Sequence, residues 1–377
     1  MSAESQSAGA DQELPRRVWG VKGLTGLLKV SPEDFVVEEL PAYDPGGAGE
    51  HLFLWIEKRD VAAEQLTQHV AKRLEIAARD IGVAGMKDRR AVTRQWISVP
   101  AKCRERLAEL PTPSIQVLRA ELHGNKLRTG HLRGNRFDLR LRDVRVADDG
   151  ENIAAFSRHV AEVVGAKGFP NYFGEQRFGR DGETWRLGLD LLTRKKTARD
   201  IPYSRRRFLF RLALSAVQSD LFNQTLAARL RDGLLDIVLK GDVMEVVPSG
   251  GKFVVEDAAA EQSRFDVGEV VTTGPMFGPK MRQPTDEPAA REAAILEAAG
   301  LTPEAFHGFG DELSGTRRPY LVRPGELVCT VEEPTTLRLQ FTLPAGVYAT
   351  TMLREWGRFE LPMFSRAGGD NPAETQP

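Results

Sequence analysis

Apolar and polar positions alternate most strictly over residues 136–144, where Phe137, Leu139 and Leu141 fall on one side and Arg136, Asp138, Arg140 and Arg142 on the other. Period two with one charged face predicts a half-buried antiparallel strand. Residues 337–343 alternate in the same way, with Leu337, Leu339, Phe341 and Leu343 together. Residues 51–58 are instead apolar on both sides (Leu52, Phe53, Leu54, Trp55, Ile56), which suits a buried central strand. Residues 35–39, 95–99, 115–123, 242–247, 252–255 and 270–273 read as further strands. Helical spacing comes next. Leu66, Val70 and Leu74 recur at i, i+4 and i+8 after Asp60, which is placed to cap a helix running towards Gly82. Residues 153–164, 215–232, 287–299 and 347–356 are also predicted helical, and Thr302-Pro303 opens another helix as N-cap and first turn.

Turns and loops divide these elements. Residues 130–135 read as a turn, and 274–281 as a Pro/Gly loop. The stretch 168–179 (Gly-Phe-Pro-Asn-Tyr-Phe-Gly-Glu-Gln-Arg-Phe-Gly) lacks any period and is expected to lie outside the core. Strands and helices mixed in this order, with hairpins, indicate an α+β fold rather than a doubly wound parallel sheet. Residues 1–14 and 368–377 have the composition of disordered segments.

Composition changes the picture little until it is mapped along the chain. The 377 residues are 41% hydrophobic and 28% charged, with a net charge of -1. That is ordinary for a globular protein of two or three domains, or of one domain with a large insertion. Residues 86–145, however, hold 15 Lys/Arg against 6 Asp/Glu, and residues 175–211 hold 11 against 5. A near-neutral chain with two basic stretches is expected to present a polyanion-binding face. Two cysteines make neither a disulfide framework nor a zinc site, which fits a reducing cytoplasm. Residues 1–12 are small and polar, unlike a signal peptide or anchor, and no run is long enough to span a bilayer.

The chemistry concentrates in residues 85–95, Gly-Met-Lys-Asp-Arg-Arg-Ala-Val-Thr-Arg-Gln. One carboxylate, Asp88, stands among Lys87, Arg89, Arg90 and Arg94. A carboxylate in positive surroundings stays ionised at neutral pH and can serve as base, nucleophile or metal ligand. The cations can hold a phosphate chain. The plain alternative is an exposed charged turn whose aspartate caps a local amide. A metal-dependent nuclease or phosphotransferase would need further carboxylates near by, and no Asp-x-Asp cluster occurs. A non-catalytic RNA-binding protein remains open at this point.

Residues 85–95, together with Gly134-Asn-Arg-Phe, the Pro170–Gly179 stretch, Leu343-Pro-Ala-Gly-Val-Tyr-Ala-Thr and Lys29-Val-Ser-Pro-Glu-Asp-Phe-Val-Val-Glu-Glu, resemble the TruD family of tRNA pseudouridine synthases over about residues 25–360. The resemblance implies an isomerase that converts a uridine of tRNA, at position 13 of the D-arm in bacterial members, to pseudouridine. It implies a pseudouridine synthase catalytic domain over residues 15–168 and 323–367, interrupted by a family-specific insertion at 169–322. Asp88 matches the catalytic aspartate, while Phe35, Asn135 and Phe341 match positions that contact the target nucleotide. Lys29, Lys87, Arg89 and Arg136 are candidates for supporting the site or the RNA. No cofactor, metal, membrane or obligate protein partner is expected, and a monomer is the expected state.

Overall fold

The computed structural model describes residues 14–18, 23–146, 152–247 and 249–362. The tail expected from residue 368 lies outside them, as do residues 1–13. The described chain falls into two compact units. One comprises residues 23–146, 152–167, 323–349 and 353–362, and the other residues 14–18, 168–322 and 350–352. Residues 14–18 therefore group with the second unit. There Arg17 pairs with Asp236.

The first unit opens with β1 (Leu24–Leu28), β2 (Phe35–Pro41), β3 (His51–Arg59), α1 (Ala63–Leu74), β4 (Gly82–Val83), β5 (Val92–Pro100), β6 (Ile115–His123), β7 (Leu132–Val146) and α2 (Ile153–Lys167). Strand β3 is apolar on both faces because both are covered. Leu52, Leu54 and Ile56 pack with Leu66, Val70 and Leu74 of α1, and Phe53 packs with Trp96 and Leu127 on the other side. Helix α1 is shorter than its periodicity suggests. Asp60 does not cap it; Ala62 is the N-cap, and its N–H donates to the Gln65 side chain. Glu75, in the left-handed region, ends the helix well before Gly82.

The second unit contains β8 (Phe169–Pro170), α3 (Glu183–Leu192), α4 (Arg206–Arg231), β9 (Val243–Val246), β10 (Lys252–Val254), α5 (Ala258–Asp266), β11 (Val270–Met276), α6 (Asp286–Ala298), β12 (Thr316–Pro319) and β13 (Leu321–Val322). Its four-stranded sheet has the order β10-β9-β11-β12. The 26-residue α4 begins inside the basic segment that the sequence leaves without structure. Strand β11 likewise extends to Met276, into the expected loop. Thr302 is the N-cap of a 3-10 turn, Pro303–Phe306, rather than of a longer helix. The 168–179 stretch does not avoid the core: Phe169, Asn171, Tyr172 and Phe173 are buried. Aperiodic loops can still be interior when their amides are satisfied, and Asn223 both accepts from the Phe173 N–H and donates to its carbonyl.

The chain then runs through β14 (Gly325–Glu333), β15 (Thr336–Pro344), α7 (Ala349–Leu353) and β16 (Gly357–Glu360), which belong to the first unit except for residues 350–352 of α7. Helix α7 has five residues, half the expected length. The first unit's large sheet runs β14-β15-β7-β2-β5-β3-β6, with β1 bridging β7 and β16 and with β4 on β5. It is mixed, because β2–β5 and β1–β16 are parallel and the other pairs antiparallel. The fold is α+β. Among the described residues no helix is long and apolar enough to cross a membrane.

The alternation over residues 136–144 has its expected result: Phe137, Leu139 and Leu141 are buried. Strand β7 begins earlier than expected, however, so that Gly134 and Asn135 are strand and not turn. Gly134 permits this because β15 passes directly over it. A Cβ at Gly134 would lie 2.1 Å from the Leu343 carbonyl oxygen.

Candidate active site

The centre of the site is the loop between β4 and β5. Its carbonyl at Ala84 accepts from the Gly130 N–H, and its last residue, Ala91, accepts from the Asp60 N–H at 3.1 Å. Between these anchors the Asp88 side chain is 54% exposed. Lys29 Nζ, distant in sequence, forms an ion pair with it, 3.3 Å from Oδ2. Lys87 turns inward, where it donates to Glu39 Oε2 at 2.7 Å. Arg94 lies between Glu57 and Glu38. Consecutive residues on an extended segment face opposite ways, so a cluster of charges in sequence is divided between the two sides.

Lys29 is placed by the turn that carries it. Its own backbone is left-handed, at φ 60°. The Asp34 carboxylate that follows accepts from the Ser31 N–H and hydroxyl and, on its other oxygen, from the Arg142 guanidinium at 2.8 Å. Pro32 starts the short 3-10 turn between them. These contacts hold Lys29 so that its ammonium also lies 3.9 Å from the centre of the Phe35 ring. A cation over an aromatic face is attracted by the ring quadrupole.

Phe35 and Phe341 are 2% and 1% exposed, and Phe137 connects them. Phe35 meets Phe137 edge-on at 6.3 Å, and Phe137 stacks on Phe341 at 5.2 Å. Asn135 is two residues along the same face of β7, opposite Glu39 on β2 and Leu343 on β15. Its side-chain oxygen is buried and has no hydrogen-bond partner, as are Thr93 Oγ1 and Gln95 Oε1 on β5. Unpaired interior acceptors are unusual, and their clustering on strands β5 and β7 sets this band apart.

Glu39 and Lys58 complete this interior polar band. Burial pushes the Glu39 carboxyl above the usual carboxylate range, against the opposing pull of Lys87. Lys58 is fully buried, and desolvation lowers its ammonium to about 8. Sequence reading passed over both. Their signal was strand parity: Glu39 shares a face with Phe35 and Val37, and Lys58 shares one with Leu52, Leu54 and Ile56.

The expected cationic face is only partly realised. Arg140 pairs with Glu332, Arg142 with Asp34, Arg136 with Glu38 and Glu326, and Arg106 with Glu75 and Glu109. Carboxylates from neighbouring strands and turns thus neutralise much of the basic stretch.

With this geometry in view, the comparisons with known proteins are informative. In fold, the chain is similar to a crystal structure assigned as tRNA pseudouridine synthase D from Methanosarcina mazei, with a TM-score of 0.72 at 24% identity over 90% of this chain and 95% of that one. That likeness is one of fold. In sequence, the family model described as tRNA pseudouridine synthase D (TruD) matches residues 13–199 and 205–356. Relatives with that name include one from Anaeromyxobacter dehalogenans, 43% identical over 93% of this chain and 98% of the relative. Another, from Thermus thermophilus, is 40% identical over 88% and 89%. The chain belongs to the tRNA pseudouridine synthase D family and is a pseudouridine synthase, an isomerase.

Proposed function

We propose that this enzyme isomerises uridine 13 in the D-arm of tRNA to pseudouridine, with Asp88 as the nucleophile. The observation that carries the reading is the Asp88 carboxylate, accessible to solvent and held by Lys29 at 3.3 Å on a loop whose flanks are anchored. The reaction breaks the N1–C1′ bond, forms a C5–C1′ bond and exchanges the C5 proton for one at N1. Nothing is oxidised and nothing leaves, so a covalent catalyst suffices, and a carboxylate is a competent one. A base stacked in the tRNA must first be turned out. Asn135, with its unpaired Oδ1, is the group proposed to read the extruded uracil, by accepting from its N3–H. Phe35 and Phe341 form the apolar floor beneath it, buttressed by Phe137.

In this reading residues 23–167 and 323–362 form the catalytic domain and residues 168–322 the family's insertion. Arg89, Arg90, Arg136 and Arg205–Arg207 contact RNA phosphates, while Lys87 supports the site from below through Glu39. The enzyme acts as a monomer in the cytoplasm.

The test uses a tRNA transcript labelled with tritium at uridine C5, with tritium release and base mapping as readouts. Asp88→Asn is expected to lower the single-turnover rate by about a thousandfold or more, with tRNA affinity retained. A variant that still releases tritium at the wild-type rate, or a wild type whose product maps elsewhere, defeats the assignment.

A further inference from the structure

Lys58 lies on the inward face of β3, at the end of the row Leu52, Leu54, Ile56, and is 0% exposed. Among the described residues it has no carboxylate within ion-pair distance. All its bonds are to backbone: Nζ donates to the carbonyls of Val61 at 2.6 Å, Asp88 at 2.7 Å and Lys87 at 3.4 Å. An ammonium has three N–H donors and no acceptor, so the three carbonyls use its full capacity. The charges that act on it are Asp88 and Lys87 from the loop, Asp60 from the turn after β3, and Lys29 from the turn after β1.

Which carbonyls it holds matters. The Lys87 carbonyl belongs to the peptide plane before the Asp88 Cα, and the Asp88 carbonyl to the plane after it. Peptide units are planar, so fixing both carbonyl directions fixes φ and ψ of the residue between them. It therefore fixes the direction in which the Asp88 side chain leaves the backbone. The third carbonyl, Val61, stands just before α1 and ties the assembly to the helix packed against the sheet. A hydrophobic residue at this inward position would avoid the desolvation of an unpaired charge. The ammonium is explained by the carbonyls it gathers.

We infer that Lys58 is a positioning residue: it clamps the two peptide planes flanking Asp88 and so aims the carboxylate without touching the substrate. The inference rests on Asp88 as the reacting group. Lys58→Met keeps the side chain's length and apolar stem and removes its donors. Its single-turnover rate on the tRNA transcript is expected to fall on the order of tenfold to a hundredfold, with KM changed by less than about threefold. Trypsin should nick it at Lys87, Arg89 or Arg90 at least about tenfold faster than wild type, while its thermal melt stays cooperative.

A Lys58→Met enzyme with the wild-type rate overturns the inference, as does one that loses rate with its loop nicked no faster than wild type. Should Lys58→Met not fold, Lys58→Gln goes through the same two assays, and wild-type trypsin cleavage of this loop at the rate of an unstructured peptide overturns the clamp by itself. If the wild type makes no pseudouridine, the functional proposal fails, and the nicking comparison still decides whether Lys58 holds the loop.

Discussion

The two units each bury cations, and among the described residues both pair one with a carboxylate (Lys87 with Glu39 in the first), but only the first unit buries a cation that has none. In the second unit Arg229 forms a two-pronged pair with Asp242, and Arg317 forms one with Glu292. Each arginine also donates to backbone carbonyls, Arg229 to those of Leu234 and Ile237 and Arg317 to that of Thr273. In the first unit Lys58 is equally buried, has only carbonyls, and sits in a band with unpaired acceptors on Thr93, Gln95 and Asn135. A paired interior charge is a structural joint. An interior charge facing only backbone, beside unfilled acceptors, marks a place where stability has been given up for chemistry.

The largest effect that can break this comparison lies in the second unit. Replacing Glu292 by Ala should strand the Arg317 guanidinium and destabilise the fold by about 3–5 kcal/mol, measured by urea unfolding. Replacing both partners by apolar residues of similar volume should recover most of that loss. If the single change costs nothing, the pair is not a joint.

A smaller effect concerns the first unit and depends on pH. The folded state lowers the Lys58 ammonium to about 8 from its ordinary 10.5. A depressed base releases its proton sooner in the folded than in the unfolded chain, so the unfolded state binds more protons between those values. Stability should therefore rise as pH climbs from about 8 to about 10.5, by at most about 3 kcal/mol, and Lys58→Met should lack that rise. Urea titrations of both proteins at several pH values measure the difference.

The smallest effect is at the surface. Arg136 is half exposed and its pairs with Glu38 and Glu326 are long, at 3.7 and 3.4 Å. Arg136→Gln should leave stability within about 0.5 kcal/mol. If the side chain meets a phosphate, the same change should reduce the salt dependence of tRNA binding by about one unit of slope.

What the sequence made legible follows from the range of the interactions. Strands β3, β7 and β15 could be read because burial of a sheet face imposes a period of two on the residues themselves. Asp88 could be read as a candidate because its motif is local. Lys29 could be named only as one of several candidate partners for the carboxylate or a phosphate, since tertiary structure brings it to Asp88 while Lys87 and Arg94 are drawn away to Glu39, Glu38 and Glu57. Asn135 was taken for a turn residue because Gly134 precedes it, whereas that glycine serves the close passage of β15. Segment 168–179 looked like surface because it is buried by contacts with distant residues, among them Asn223 of α4 and strand β13, which leave no period in the chain.

The pairing of β8 with β13 has one more implication. Leu321 lies opposite Pro170 and Val322 opposite Phe169, so an excursion of about 150 residues departs and rejoins at points about 5 Å apart. Geometrically this is a side branch on a continuous thread. A short linker could bridge the two stumps, and the length of the branch can drift through insertions and deletions without disturbing the strand order on which Asp88 depends.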